Sequence, residues 1–245
     1  MRSLALVVLT ACGRLAFDPL DDAGTSGSGP IGEASPGDGM ADAADAELLL
    51  HLAFESDGLL VDRARGHAAS CHGTCPPMTT GRIGATAVDF SGTQCIEIAD
   101  AADLRPASFT TSLWANVDAP AADGEMFSRP RNGETTSNNV MELFSGANGN
   151  WTLIVGGATI GRPVAAGAWH HAALVVDAGT LTVYIDGSAM GSMPTGALGY
   201  ATDPYLIGCE RDNNVDVFRL RGSVDDVRMY GRALAPAEIA ALAAM

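Results

Sequence analysis

The sequence predicts an all-β protein, a two-sheet antiparallel sandwich closed by a short C-terminal helix. Three observations predict it. From residue 48 onward, short apolar segments alternate with turn residues, and no internal repeat period is evident. Several segments alternate apolar and polar residues with period two, the mark of a strand with one buried face. The 245 residues include Gly 29 and Pro 12, a balance that suits a turn-rich β protein, and 47% hydrophobic content suffices for a core.

The elements follow in order. Leu48–Phe54 is an apolar run that opens the domain, followed by strands over Thr86–Phe90 and Gln94–Ile98. Phe109–Val117 places Phe109, Thr111, Leu113, Ala115 and Val117 on one face. Gly124–Ser128, Val140–Ser145 and Trp151–Val155 are short strands between turn residues. Trp169–Asp177 and Thr180–Asp186 are joined by Ala178-Gly179, a two-residue hairpin signal. In the second of these, Leu181, Val183 and Ile185 share a face opposite Thr182, Tyr184 and Asp186. Tyr205–Gly208, Val215–Leu220 and Ser223–Tyr230 complete the strands. Gly231 breaks the last of them, and Pro236 suits the first turn of a helix. Ala235 stands where a hydroxyl would cap that helix, so the capping box that Glu238 would complete is expected to be lost, at about 0.5–2 kcal/mol.

The net charge is −15, and all fourteen basic residues are Arg. So acidic a chain lacks the basic surface that phosphate backbones require, which excludes nucleic acid as the expected partner. Arg219, Arg221 and Arg228 read as ordinary strand-surface charges.

The N-terminus reads as an address. Met1-Arg2-Ser3 is a basic start, and Leu4 to Leu9 is apolar but far short of the ~20 residues a membrane-spanning helix needs. Leu9-Thr10-Ala11-Cys12 resembles the bacterial lipobox. That resemblance implies a signal peptide over 1–11, cleavage before Cys12, and acylation of Cys12 as a membrane anchor. Gly13 is not the aspartate that marks inner-membrane retention, so the expected location is the bacterial cell envelope, at the periplasmic or surface face of the outer membrane. Residues 12–46 form an acidic tether rich in Gly, Ser, Ala and Asp, including Gly24-Thr25-Ser26-Gly27-Ser28-Gly29-Pro30, with an r.m.s. span of roughly 30–35 Å.

The remaining chain, 47–245, resembles the laminin-G-like jelly rolls of the concanavalin A-like superfamily. Six stretches carry the resemblance in order: Leu50-His51-Leu52-Ala53-Phe54-Glu55 with Asp62 and Gly66-His67; Gly84 to Gly92; Phe109 to Trp114; Trp169 to Val175; Leu181 to Gly187; and Gly222 to Ile239. The resemblance implies a jelly-roll sandwich that binds ligands and seldom performs chemistry. It also implies one Ca²⁺ held by carboxylates and loop carbonyls, with Glu55, Asp57 and Asp225 as candidate ligands if the first and closing strands are neighbours. The plainer alternative for these acids is solvated turn carboxylates, with Asp225 bonded to a backbone amide.

Cys71, Cys75, Cys95 and Cys209 are even in number, and in an exported domain they imply two disulfides with three connectivities open. Cys71–Cys75 as a local loop and Cys95–Cys209 as a long-range link is the preferred pairing. His67, Cys71, His72 and Cys75 also have near-ligand spacings for zinc, against which an oxidising compartment weighs. The Glu-x-Asp-x-x-Glu pattern of the superfamily's hydrolases does not occur, and Glu97 with Asp100 and Asp225 with Asp226 fall on opposite faces. The resemblance implies that His170 and His171 are structural, because a Trp-His-His start is common in this strand of non-enzymatic members, with one imidazole hydrogen-bonded within the sandwich. For sugar contact, Trp114, Trp151, Tyr184, Tyr200 and Tyr205 are available, although Trp114 and Trp169 suit the core. The long polar loop Arg129–Asn139 is a further binding surface.

These observations lead to a membrane-anchored, extracytoplasmic binding module for carbohydrate or for an envelope or matrix protein, with no catalytic residues assigned. The alternatives are a carbohydrate-active enzyme, which two carboxylates facing one another in an open groove would favour, and a purely structural or adhesion module.

Overall fold

The computed structural model describes residues 47–119, 122–131 and 139–245. The signal segment, Cys12, the tether and residues 132–138 of the polar loop lie outside the described residues. The first nine strands are β1 (Leu48–Leu52), β2 (Ala69–Cys71), β3 (Met78–Thr80), β4 (Thr86–Ser91), β5 (Ile96–Ile98), β6 (Phe109–Val117), β7 (Gly124–Arg129), β8 (Met141–Ser145) and β9 (Asn150–Val155). There follow β10 (Ala158–Pro163), β11 (Trp169–Asp177), β12 (Thr180–Ile185), β13 (Ser188–Pro194), β14 (Tyr205–Ile207), β15 (Glu210–Asp212), β16 (Val215–Val217), β17 (Arg221–Tyr230) and the helix α1 (Pro236–Ala243).

Two antiparallel sheets stack to form the sandwich. The first runs β13-β12-β11-β6-β17-β4-β3, and the second runs β10-β9-β8-β7-β14-β5-β2. β17 pairs with β6 along one edge; along the other it takes β4 with its first half and β1 with its second. Two-residue turns link several hairpins. Ala178 and Gly179 have φ of 45° and 78°, and Asn213 and Asn214 have 49° and 62°, the left-handed pair that matches strand twist. The Ala178-Gly179 hairpin is thus where the sequence places it, and both strands it joins are present.

Strand alternation places the core. Phe109, Leu113, Ala115 and Val117 of β6, Leu174 and Val176 of β11, and Leu181 and Val183 of β12 meet Leu143 and Leu153 of the second sheet in one buried cluster. The opposite face of the first sheet is not left to solvent. Ala173, Val175, Tyr184 and Tyr230 are covered by Ile239 and Leu242 of α1. Tyr184 therefore leaves its sheet on the polar side of the alternation and is still buried, under the helix.

Strands β2, β3, β10, β13 and β15 were not legible as apolar segments. β13, Ser188-Ala189-Met190-Gly191-Ser192-Met193-Pro194, is an edge strand with mostly exposed residues, so no buried face imprints a pattern on it. Trp169 is half-buried at the start of β11 and is not part of the core. Trp114 is buried but faces away from the core, beneath the Arg82 guanidinium, which lies 4.2 Å above its ring. The helix cap is half intact. Ala235 has no side-chain oxygen to accept from the first turn, yet Glu238 Oε2 accepts the Ala235 N–H at 2.7 Å and completes the reverse half of the box.

Disulfides join Cys71 to Cys75 and Cys95 to Cys209. The second lies beside β5 and β14, which are neighbours in the second sheet.

Candidate functional site

The residues nominated for calcium each find a partner within the chain. Asp57 pairs with Arg63 at 2.6 Å, which holds its carboxyl below the usual range. Glu55 Oε1 accepts the Ala85 N–H at 2.9 Å. Asp225 Oδ2 accepts the Arg82 and Ile83 N–H groups at 2.8 and 2.9 Å, and burial pushes its pKa up to about 6. Strands β1 and β17 are neighbours, and Glu55, just after β1, and Asp225 of β17 both accept N–H groups of the loop before β4. The histidines near the first disulfide are likewise engaged, His67 with Asp62 and Asp103, and His72 with Asp216. His170 pairs with Asp186 at 2.7 Å. His171 is buried, and desolvation lowers its pKa to about 4.

A different constellation forms on the outer face of the second sheet. Along β8, Met141 and Leu143 point into the core, so Glu142 and Phe144 point outward. Ile154 of β9 stands on the same outer side. A bulge in β7 between Glu125 and Phe127 turns Glu125 toward this face, where its Oε1 accepts the Leu143 N–H at 3.0 Å. The β15–β16 ribbon leans over the strands. It delivers Glu210 from β15, and Phe218, which follows β16 with a φ of 45°, places its carbonyl 2.7 Å from the Glu125 N–H. Together with Asp123 these side chains enclose a recess of ≈ 330 Å³.

The chemistry of the recess is one-sided. Glu125, Glu142 and Glu210 are 1%, 5% and 1% exposed, and each offers a carboxylate oxygen within 4.8 Å of the other two. No basic side chain lines the recess among the described residues. Asn139 Nδ2 donates to Glu142 Oε1 at 2.8 Å and also to Glu210 Oε1. Burial pushes Glu142 and Glu210 up to about 7. Glu125 lies well above the ordinary carboxylate range, through burial and then the charges of Glu142 and Glu210. Phe144 and Phe218 supply apolar walls, the latter 39% exposed at the mouth.

None of the three glutamates is legible as a site in the sequence, because they stand on three separate strands and only the bulge and the ribbon bring them together. Asn139 was visible as the end of the polar loop. The aromatic residues nominated for sugar contact are elsewhere. Trp114, Trp151, Tyr184 and Tyr205 are buried, and the Tyr200 hydroxyl donates to the Pro106 carbonyl.

The Laminin_G_3 family model, described as the concanavalin A-like lectin/glucanases superfamily, matches residues 90–240. The chain belongs to this family. No curated protein sequence matches it. Among solved structures it is similar to domain 4 of AbnA, a GH43 extracellular arabinanase from Geobacillus stearothermophilus, in complex with arabinotriose. That likeness has 22% identity and a TM-score of 0.64, and covers 80% of this chain and 98% of that one. It is also similar to the binding domain of Paraclostridial Mosquitocidal Protein 1, at 16% identity and a TM-score of 0.66, covering 82% of this chain and 52% of that one. A third likeness is to the binding domain of botulinum neurotoxin DC in complex with rat synaptotagmin II, at 11% identity and a TM-score of 0.62, with 82% and 52% covered. The chain thus spans about half the length of the toxin binding domains. At these identities the likenesses speak to the fold.

Proposed function

We propose that this domain is a binding module whose ligand is a carbohydrate, seated in the recess of the second sheet. The observation that carries the proposal is the makeup of that recess. Oxygen acceptors form its floor, Phe144 and Phe218 form its sides, and its volume of ≈ 330 Å³ suits a short saccharide. Sugar hydroxyls donate to carboxylates, while the apolar faces of a pyranose or furanose ring lie against aromatic rings. The arabinotriose complex of the AbnA domain supports the choice of ligand class. The lipobox-like Leu9-Thr10-Ala11-Cys12 and the acidic tether support display from a bacterial envelope, and mass spectrometry of the mature N-terminus tests that part: an unmodified Cys12 overturns it.

A glycan array followed by calorimetry tests the proposal. Retention of a defined saccharide class is expected, weakened about tenfold or more in Phe218→Ala, since a stacked aromatic ring contributes on the order of 1 kcal/mol beyond the area it covers. An array that stays blank overturns it and turns attention to a protein partner.

One observation favours a second reading, a glycoside hydrolase. The carboxylates face one another, each with an oxygen within 4.8 Å of the other two, short enough for the paired acid and nucleophile of retaining enzymes, and burial raises Glu142 and Glu210 to about 7. Turnover of chromogenic glycosides by the wild-type chain, abolished in Glu142→Gln or Glu210→Gln, would establish it; saccharide binding without turnover leaves the binding module standing.

A further inference from the structure

We infer that the Cys71–Cys75 disulfide is a site of thiol–disulfide exchange, open to an external dithiol while the rest of the fold stays native. The two disulfides stand in opposite surroundings. Cys95 and Cys209 are both 0% exposed and pack with Leu206 in a buried cluster. Cys75 is exposed, and Cys71 is half-buried against the core. The loop they close stands clear of the body of the domain. His72, Gly73 and Thr74 are exposed, and around the Cβ position of Gly73 nothing beyond its chain neighbours lies within 4 Å. A thiolate must reach a sulfur from outside to attack it, so access alone separates the two links.

Position and energetics point the same way. Cys71 ends β2, which stands last in the second sheet and pairs only with β5 among the described residues. Its outer side gives a reducing partner room to approach. The pairing does not depend on the bond. Ala69, Ser70 and Cys71 lie opposite Ile98, Glu97 and Ile96, and the His72 N–H donates to the Cys95 carbonyl at 2.9 Å. These contacts remain when the sulfur–sulfur bond is cut. A fold stabilises a disulfide by as much as the disulfide stabilises the fold, and a link over 4 residues constrains the unfolded chain less than one over 114. The native structure therefore opposes reduction of Cys71–Cys75 the less strongly.

The exchange proceeds in two displacements. A thiolate of the dithiol attacks Cys75 Sγ, the bond to Cys71 breaks, and Cys71 leaves as a thiolate that takes a proton from water. The second thiol of the reductant, giving up its own proton, displaces Cys75 from the mixed disulfide. The protein gains both thiols, and the dithiol is oxidised to its own disulfide. The inference does not rest on the carbohydrate proposal, and the experiment reads the cysteines alone.

The full chain, natively folded, is incubated with graded dithiothreitol, quenched with acid and alkylated in denaturant, and the peptide carrying each cysteine is read by mass spectrometry. Cys71 and Cys75 are expected to label at a dithiothreitol concentration about tenfold or more below that needed for Cys95 and Cys209. The chain reduced at the first pair alone is expected to keep its cooperative thermal transition. In Cys71→Ser, Cys75 is expected to form a mixed disulfide with glutathione disulfide about tenfold or more faster than Cys71 does in Cys75→Ser. Labelling of both pairs at one concentration overturns the inference. So does labelling of Cys71 and Cys75 only where the thermal transition is lost, or equal rates in the two single variants.

Discussion

His171 shows how one buried side chain can lower the stability of the fold in acid. It lies 2% exposed against Trp114, their ring centroids 5.4 Å apart, and burial lowers its pKa from 6.5 to about 4. The unfolded chain therefore takes up a proton at this residue near pH 6.5, whereas the native chain resists until about 4. Protons favour unfolding throughout that window. The contribution is complete above about pH 6.5 and is lost as the pH falls toward 4, in all on the order of 3 kcal/mol. Urea denaturation at stepped pH should show a steeper fall over that window in the wild type than in His171→Leu; parallel curves would refute the assignment. His171 was legible as a structural residue through the Trp169-His170-His171 start, part of the family resemblance. The glutamates of the recess were not. Alternation reports which way a side chain points from its own strand, and says nothing about which strands lie side by side. Glu142 could be placed on an outward face from sequence, but its meeting with Glu125 and Glu210 depends on a bulge and on a ribbon folding back.

At the scale of elements, the missing cap of α1 offers a direct test. Ala235 already has the extended backbone of an N-cap residue, at φ −69° and ψ 154°, and Glu238 already closes the reverse half of the box. Ala235→Ser supplies the absent oxygen and is expected to raise stability by about 1 kcal/mol, read as a higher urea midpoint with an unchanged slope. Because α1 covers Tyr184 and Tyr230 on the outer face of the first sheet, the gain should be felt by the global transition and not merely by local fraying. The elements legible in the sequence were those with a buried face and a marked turn, such as β6, β11 and β12. Edge strands and the short pieces β2, β3 and β15 carry few core residues, and their pairing is imposed by neighbours.

For the molecule as a whole, the Cys95–Cys209 link spans 114 residues and holds β5 beside β14 in the second sheet. Closing so long a loop restricts the unfolded chain, so Cys95→Ser/Cys209→Ser is expected to lose about 2–5 kcal/mol. The Cys71–Cys75 loop, only 4 residues apart, should contribute less. Denaturation of the two double variants side by side checks the order, and an equal or reversed loss would contradict it. The sandwich itself was readable because six short motifs recur in the order the fold requires. The ligand was not, since strands that build a core leave their outer faces free to vary.

One feature of the topology bears on how the chain reaches its native state. β17 is hydrogen-bonded to β1, β4 and β6, yet it comes after all of them in the chain. The first sheet cannot close until its latest segment has been made, and pairings between such distant segments make for slow folding. Until β17 has been made, β1 and β4 have no strand to join them to β6, so the last strand out is the one that ties this sheet together.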